Sequence, residues 1–239
     1  MNRIYLIAFA FVITYAISCT TQEKNKTAND KNISMNKVNE NLPTIGILIF
    51  EGVIMNEVIA PLDVFSKNEK NSDNQLFNVI LIAKEHKTYV SAQGLQILPD
   101  YTLADVPNLK VLVVPSSYTP EKQTADKELI EFIKQQNQVT DYISSHCAGA
   151  FLIGEAGIAA DKNIVTYVTG GELLKEQYPN LKVADDTKVA TMKDGKFLSS
   201  NGNLVSYTSS LELLEILTNK TQRLYVEESI LLNELKAAK

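Results

Sequence analysis

The sequence predicts an α/β domain whose mainly parallel, doubly wound sheet carries helices on both faces. Three continuous apolar runs support this prediction: TIGILIF (44–50), FNVILIA (77–83) and KVLVVP (110–115). Strands that are buried on both faces read as unbroken apolar segments, because neither side of the strand meets water. Segments with helical spacing follow the first and third runs, over 56–67 and 122–138. Strands that alternate with helices indicate parallel pairing.

The second half of the domain continues this alternation. A fourth strand is predicted over 141–146, and it leads through Cys147 into a helix of small and apolar residues over 148–158. The stretch 88–107 resembles short strands and turns. The remaining predicted elements are a strand at 164–169, a hairpin at 188–200 with its turn at 193–196, a helix at 204–217 and a C-terminal helix at 222–235.

The first 42 residues predict export rather than folding. Residues 1–18 combine Arg3 with an apolar stretch and end in Ala16-Ile17-Ser18 before Cys19. This resembles a bacterial lipoprotein signal peptide, in which the cysteine thiol is acylated and becomes the new N-terminus. A plain signal peptide or an uncleaved anchor with an incidental cysteine is the alternative. Residues 19–42 are polar and without periodicity, so we expect a flexible tether.

These features predict a lipid-anchored protein of the cell envelope. Thr20, rather than Asp, follows Cys19, which resembles the Gram-negative pattern for the outer membrane rather than the inner one. The domain is expected over 43–220, and the C-terminal helix is placed within 221–239. The formal net charge is −5, so the composition does not predict a basic surface for binding a nucleic acid.

Few metal-ligating side chains are available. The chain has two histidines and two cysteines, so a His-rich metal site is not expected, and no cofactor is predicted. If lipidation consumes Cys19, Cys147 has no partner for an intramolecular disulfide. A lone thiol in an exported protein is a candidate reactive group.

Cys147 lies in YISSHCAGAFLIGEAG (142–157), where a strand is expected to turn sharply into a helix. The small residues at 148–150 permit a tight turn that holds its tip residue in a strained conformation above the carboxyl edge of the sheet. Open α/β sheets bind their ligands at this edge. The amide of Ala148 is then available to stabilise an oxyanion. A small buried cysteine that packs a strand end is the alternative, and the residues alone leave both open.

The segment HCAGAFLIGEAGI resembles the nucleophile elbow of the ThiJ/PfpI family, part of the class I glutamine amidotransferase-like superfamily. Three further blocks agree in order along the chain: GVIMNEVIAPLDVF (52–65), VLVVP (111–115) and the segment 193–217. The resemblance covers about residues 43–218. It implies a flavodoxin-like fold, a cysteine at the nucleophile elbow, a small-molecule ligand or substrate and a homodimer.

The resemblance also implies which residues surround the thiol. Glu57 matches the acid that stands beside the nucleophile, although a glutamate at a helix start is otherwise a solvated residue. The second oxyanion donor is expected to be a backbone amide near Ser116 or Ser117. Asn201 and Asn203 belong to a turn that faces the site, and Asn203 has the alternative role of a helix N-cap.

The sequence departs from the family pattern at three places. Ala148 stands where the protease-like and chaperone-like branches have a histidine, and Tyr167 stands where other branches have one. Ser116 and Ser117 replace the usual Gly-Gly. No Cys–His dyad arises from matching positions, so a protease is not expected. His146 precedes the nucleophile but points to the opposite strand face, which favours a packed or hydrogen-bonded ring over a catalytic base.

These residues predict two alternative functions for the Cys147 site. In the first, Cys147 attacks a small electrophile, such as an isocyanide or an α-oxoaldehyde, with Glu57 relaying protons in a cofactor-independent hydratase or lyase. The elbow resembles those of isocyanide hydratases and of amidotransferase-like domains in transcription regulators. In the second, the protein binds a small molecule or senses oxidation without turnover. His146, Tyr167, Asn201 and Asn203 are possible substrate contacts in either case.

Overall fold

The structure is a computed structural model that describes residues 38–237. The predicted leader, the lipidation site at Cys19 and residues 19–37 of the predicted tether lie outside this range. Among the described residues, no helix is both long enough and apolar enough to cross a membrane.

The strands of the described range are numbered in chain order. They are β1 (Thr44–Leu48), β2 (Asn78–Ala83), β3 (Tyr89–Val90), β4 (Gln96–Ile97), β5 (Tyr101–Thr102), β6 (Val111–Val114), β7 (Tyr142–His146), β8 (Asn163–Ile164), β9 (Lys182–Val183), β10 (Thr191–Asp194) and β11 (Phe197–Ser200).

A central sheet of seven strands has the order β10-β11-β7-β6-β1-β2-β5. Every neighbouring pair is parallel except the β10–β11 hairpin. All residues of β1 and β6 are buried, as expected for strands covered on both faces. The mainly parallel α/β fold predicted from the apolar runs is therefore confirmed.

The helices are α1 (Met55–Phe65), α2 (Pro120–Thr124), α3 (Lys127–Val139), α4 (Gly149–Ala156), α5 (Gly171–Gln177), α6 (Val205–Leu217), α7 (Lys220–Ser229) and α8 (Leu232–Ala237). The β1-to-β2 and β6-to-β7 connections run in opposite directions across the sheet. Because such crossovers are right-handed, α1 and α3 lie on opposite faces. Helix α6 packs beside α1, and α4 packs beside α3.

The predicted strand at 164–169 is wrong in extent and in position. Only Asn163–Ile164 is a strand, and it pairs with β9 outside the central sheet. Side chains replace strand pairing in the following residues: the Val165 amide donates to Ser199 Oγ at 2.9 Å, and Thr169 has a φ of +77°. The short helix α5 that follows was not predicted.

Two predicted helices are each divided. The predicted 122–138 helix is interrupted before α3, because the Asp126 carboxylate accepts the amides of Glu128 and Leu129 and so starts a new helix. The predicted 222–235 helix is interrupted at Leu231, whose φ is +58°. Helix α7 packs against α6, so the C-terminal segment joins the domain.

Candidate functional site

Cys147 stands at the sharp turn between β7 and α4. Its φ of +53° lies in the left-handed region, and its side chain is only 9 % exposed. Neighbouring segments hold this conformation: the Cys147 amide donates to the Ser200 carbonyl, and its carbonyl accepts the Thr166 hydroxyl, both at 2.9 Å. A Cβ on Gly149 would lie 2.3 Å from the Val114 carbonyl, so the helix can start this close to β6 only with glycine.

Glu57 lies in the first turn of α1 and is completely buried. Its Oε2 accepts the Ser116 amide at 2.7 Å, and its Oε1 accepts the Asn203 amide at 3.3 Å. The carboxylate therefore joins the start of α1 to the residues that follow β6 and β11.

Gly202 brings the carboxylate and the nucleophile together. A Cβ on this glycine would lie 2.3 Å from Cys147 Cβ and 2.5 Å from Glu57 Oε1. Both side chains thus approach the same bare backbone position, whose φ of +85° also suits glycine. The thiol and the carboxylate are therefore neighbours, and each affects the pKa of the other.

Burial dominates the electrostatics of this pair. Burial raises the pKa of Glu57, while hydrogen bonds from the amides of Ser116 and Asn203 oppose that rise. Burial and the negative charge of Glu57 raise the pKa of the Cys147 thiol to about 11, against the smaller opposing effect of the Ala148 amide. At neutral pH the thiol therefore keeps its proton, and the neighbouring Glu57 carboxylate is placed to act as a general base.

The predicted oxyanion donors have different roles in the structure. The Ala148 amide points at the sulfur, which leaves it near any charge that develops there. The prediction for the Ser116 amide is corrected, because that amide is bound to Glu57. Ser117 donates its hydroxyl to Gln123 Oε1 at 2.5 Å, so its side chain is bound to α2.

His146 is fully buried, and its Nδ1 lies 2.8 Å from Ser200 Oγ. Burial lowers the pKa of the imidazole to about 3, so the ring is neutral. An enclosed ring does not reach a substrate, and the suggestion that His146 contacts one is corrected. Its position is that of the packed, hydrogen-bonded histidine favoured above.

Tyr167 is half-buried and stacks on Phe151, with ring centroids 6.1 Å apart and planes at 19°. Burial raises the pKa of its phenol, and the negative charges of Cys147 and Asp186 raise that pKa further. Tyr167 is thus a half-buried aromatic side chain that couples electrostatically to the thiol, and its role as a substrate contact stays a prediction.

The two asparagines of the predicted turn act in different ways. Asn201 Nδ2 donates to the carbonyls of Thr166 and Asp186, at 2.6 and 3.3 Å, and so braces the loop that carries Tyr167. Asn203 contributes its backbone amide to Glu57, and its φ is +49°. The N-cap position of α6 is Leu204, so the alternative role of Asn203 as that cap is wrong.

Sequence reasoning missed three polar residues that shape the site. Thr166 holds the Cys147 carbonyl, Ser200 binds His146, and Asp186 accepts the amides of Thr169 and Gly171 at 3.0 and 2.6 Å. Each acts through hydrogen bonds between segments that are separated in sequence, and such pairing has no periodic signal in a single sequence. Among the described residues, no group of three or more His, Cys, Asp or Glu side chains is arranged to hold a metal ion.

The site thus consists of a strained cysteine at a strand-to-helix turn and a buried glutamate beside it. A comparison with protein families identifies the family to which this chain belongs. The model of the DJ-1/PfpI family matches residues 43–216. The chain belongs to the DJ-1/PfpI family. A curated relative is the isonitrile hydratase of Pseudomonas putida, which is 28% identical over 171 residues, covering 72% of this chain and 70% of that protein.

Solved structures of the DJ-1/PfpI family share the fold. DJ-1beta of Drosophila melanogaster superposes with a TM-score of 0.69 and 22% identity, over 80% of this chain and 98% of that one. A ThiJ/PfpI family protein of Pseudomonas syringae gives a TM-score of 0.70 and 21% identity, over 86% of this chain and 80% of that one. These comparisons confirm the flavodoxin-like, doubly wound fold.

Replacing Gly202 with alanine should disrupt the site beyond the effect of backbone strain. Gly202→Ala adds a Cβ that collides with Cys147 and Glu57, whereas Gly94→Ala adds one at a φ of +82° with no atom within 4 Å. Both variants should lose about 1–2 kcal/mol of unfolding free energy from the left-handed backbone. Only Gly202→Ala should lose more and also change the iodoacetamide reactivity of Cys147.

Urea denaturation and the alkylation rate measure the two effects. Equal losses of unfolding free energy in the two variants, with unchanged thiol reactivity, would show that Gly202 does not separate a tightly packed pair.

Proposed function

We propose that this protein hydrates a small isocyanide to the corresponding N-substituted formamide, using Cys147 as nucleophile and Glu57 as general base. The observation that carries the proposal is the close approach of the Cys147 side chain, at the tip of the elbow, and the completely buried Glu57 carboxylate to the same backbone position, Gly202. The similarity to an isonitrile hydratase supports the choice of an isocyanide over an α-oxoaldehyde as the electrophile.

In the first step the Cys147 sulfur forms a bond to the terminal carbon of the isocyanide. Glu57 receives the thiol proton and delivers it to that same carbon, which yields a thioimidate, R–N=CH–S–Cys. The high pKa of the thiol makes this base necessary, because little thiolate exists before the substrate arrives. The Ala148 amide steadies the negative charge on the sulfur during attack.

In the second step water adds to the thioimidate carbon. Glu57 takes one proton from the water and delivers it to the substrate nitrogen as the C–O bond forms, which leaves the second water proton on the new hydroxyl group. Collapse of this tetrahedral adduct breaks the C–S bond, returns a proton to the sulfur and releases R–NH–CHO. One water is consumed, no electrons are transferred to an external acceptor, and the enzyme returns to its starting state.

The surroundings of the site suit an apolar substituent on the substrate. Three large apolar side chains that lie within two residues of site residues along the chain are exposed: Tyr118 (72 %), Val168 (53 %) and Leu204 (73 %). Tyr118 lies two residues after Ser116, whose amide binds Glu57. Val168 follows Tyr167, and Leu204 follows Asn203. Apolar surface removed from water contributes about 25 cal/mol per Å², so contact with these side chains favours an apolar isocyanide.

The redox-sensing alternative fits less well. Sensor cysteines are accessible and have a lowered pKa, because the thiolate is the species that oxidants attack. Cys147 is 9 % exposed, and its pKa is raised to about 11. Both properties favour a nucleophile that is activated by its own base once a substrate is bound.

Cys147→Ser and Glu57→Gln should each remove most turnover of benzyl isocyanide, followed by the formyl proton of the product. Loss of a general base costs about 10²–10⁴-fold in rate, so we expect kcat of Glu57→Gln to fall by about that factor. Glu172→Gln is the matched control, since Glu172 is an exposed first-turn glutamate of α5 and should keep parental activity.

Methylglyoxal serves as the competing electrophile in the same assay. Parental turnover that both site variants retain would refute the mechanism, and a parent protein inert toward isocyanides would refute the proposed substrate class.

We further propose that the site works in the cell envelope, on a domain anchored by lipid at Cys19. The support is the sequence Ala16-Ile17-Ser18-Cys19 after an apolar leader, followed by a polar tether. Such an anchor binds the membrane through buried acyl chains, without a spanning helix. The homodimer implied by the resemblance stays a prediction.

Cys19→Ala should abolish labelling by radioactive palmitate and move the protein out of the membrane fraction when the full chain is expressed in a Gram-negative host. Cys147→Ala is the control, because it removes the other cysteine and should leave labelling and fractionation unchanged. Retention of Cys19→Ala in the membrane, or labelling that depends on Cys147, would contradict the proposed anchor.

A further inference from the structure

Behind the nucleophile, a buried histidine faces the strand that carries the neighbouring turn. His146 is paired in register with Ser200 across the parallel strands β7 and β11, so the two side chains share one face of the sheet. The His146 Nδ1 lies 2.8 Å from Ser200 Oγ, and the ring is completely enclosed. The steps proposed above make no use of this imidazole.

The hydrogen bonds of Ser200 are compatible with a neutral ring that carries its proton on Nε2. Ser200 Oγ accepts the Gly202 amide at 3.3 Å, so its own proton is free to be donated. His146 Nδ1 lies within reach of that proton. If Nδ1 accepts the Ser200 proton, Nδ1 carries no proton of its own, and the single proton of the neutral ring is on Nε2. Nε2 has no hydrogen-bond partner among the described residues, so the ring holds its neighbours through Nδ1.

This hydrogen-bond chain leads to the reacting pair. Ser200 fixes the amide of Gly202, whose backbone touches both Cys147 and Glu57. The next amide along, that of Asn203, donates to Glu57 Oε1 at 3.3 Å. The position of the turn at 200–203 therefore decides whether the carboxylate keeps its second amide donor.

We propose that His146 is a positioning residue: its neutral imidazole accepts the Ser200 hydroxyl, holds the 200–203 turn and so keeps the Asn203 amide on Glu57. The inference rests on the Cys147–Glu57 pair of the proposed function and deepens it. An amide that donates to a carboxylate stabilises its negative charge. Loss of this support therefore makes ionised Glu57 less stable relative to its protonated form. Glu57 then takes up a proton at a higher pH and is lost as a base.

Three substitutions separate positioning from simple packing. His146→Asn retains an oxygen acceptor near the place of Nδ1, His146→Leu retains an apolar filling without an acceptor, and Ser200→Ala removes the bridging hydroxyl. The readout is the pH dependence of Cys147 alkylation by iodoacetamide, in which protonation of Glu57 slows the reaction at low pH. This readout requires no isocyanide turnover, so it remains informative if the proposed substrate is wrong.

The alkylation rate of Cys147 falls at low pH. We expect the midpoint of this fall to lie about one pH unit higher in His146→Leu and Ser200→Ala than in the parent. His146→Asn should restore the parental profile. The other titratable groups are Tyr167, which couples to the thiol, and Asp186, which couples to Tyr167; all variants keep both. Identical profiles for His146→Leu and the parent, or equal displacement in His146→Leu and His146→Asn, would overturn the positioning role.

Nitrogen-15 spectra of the parent test the tautomer without any substitution, in case His146→Leu fails to fold. The chain has two histidines, so the exposed His86 supplies the reference signal. We expect His146 to keep a protonated Nε2 and an unprotonated Nδ1 from pH 5 to 8. A protonated Nδ1 or an imidazolium on His146 would overturn the inference.

Discussion

The burial of a carboxylate beside a thiol is the interaction on which the rest of this site depends. Glu57 has no exposed surface, and a buried carboxylate is unfavourable unless hydrogen bonds compensate for the lost water. Amides from two separate segments, at Ser116 and Asn203, provide that compensation. The ends of β6 and β11 and the start of α1 must therefore meet at one point, which is the edge of the sheet where the elbow presents Cys147.

The elbow stores strain that the surrounding fold holds in place. A non-glycine residue in the left-handed region costs about 1–2 kcal/mol. Hydrogen bonds to both sides of the Cys147 peptide, from β11 and from Thr166, offset this cost. Glycine at 149 and 202 allows the backbone to approach on each side of the nucleophile. The strain and the glycines together place the sulfur beside its base, with little room for adjustment.

The sequence predicted the frame of the fold better than its polar contacts. Strands β1 and β6 are recognisable because double-sided burial leaves unbroken apolar runs. Glu57 could be singled out only through its motif, since a first-turn glutamate alone reads as a solvated residue. The strand predicted at 164–169 failed because Val165 pairs with a serine side chain rather than with a strand. The Ser116 amide was assigned to an oxyanion because its partner, Glu57, is distant in sequence.

The most direct test of this account is a pH titration of the Cys147 Cβ resonance in carbon-13-labelled protein. Cys19→Ala makes the observed cysteine unique, and Glu57→Gln is compared in the same background. The account predicts a midpoint near 11 with Glu57 present and a lower midpoint with glutamine, because the negative charge that opposes the thiolate is removed. A thiolate already formed below pH 7, or a midpoint unchanged by Glu57→Gln, would contradict it.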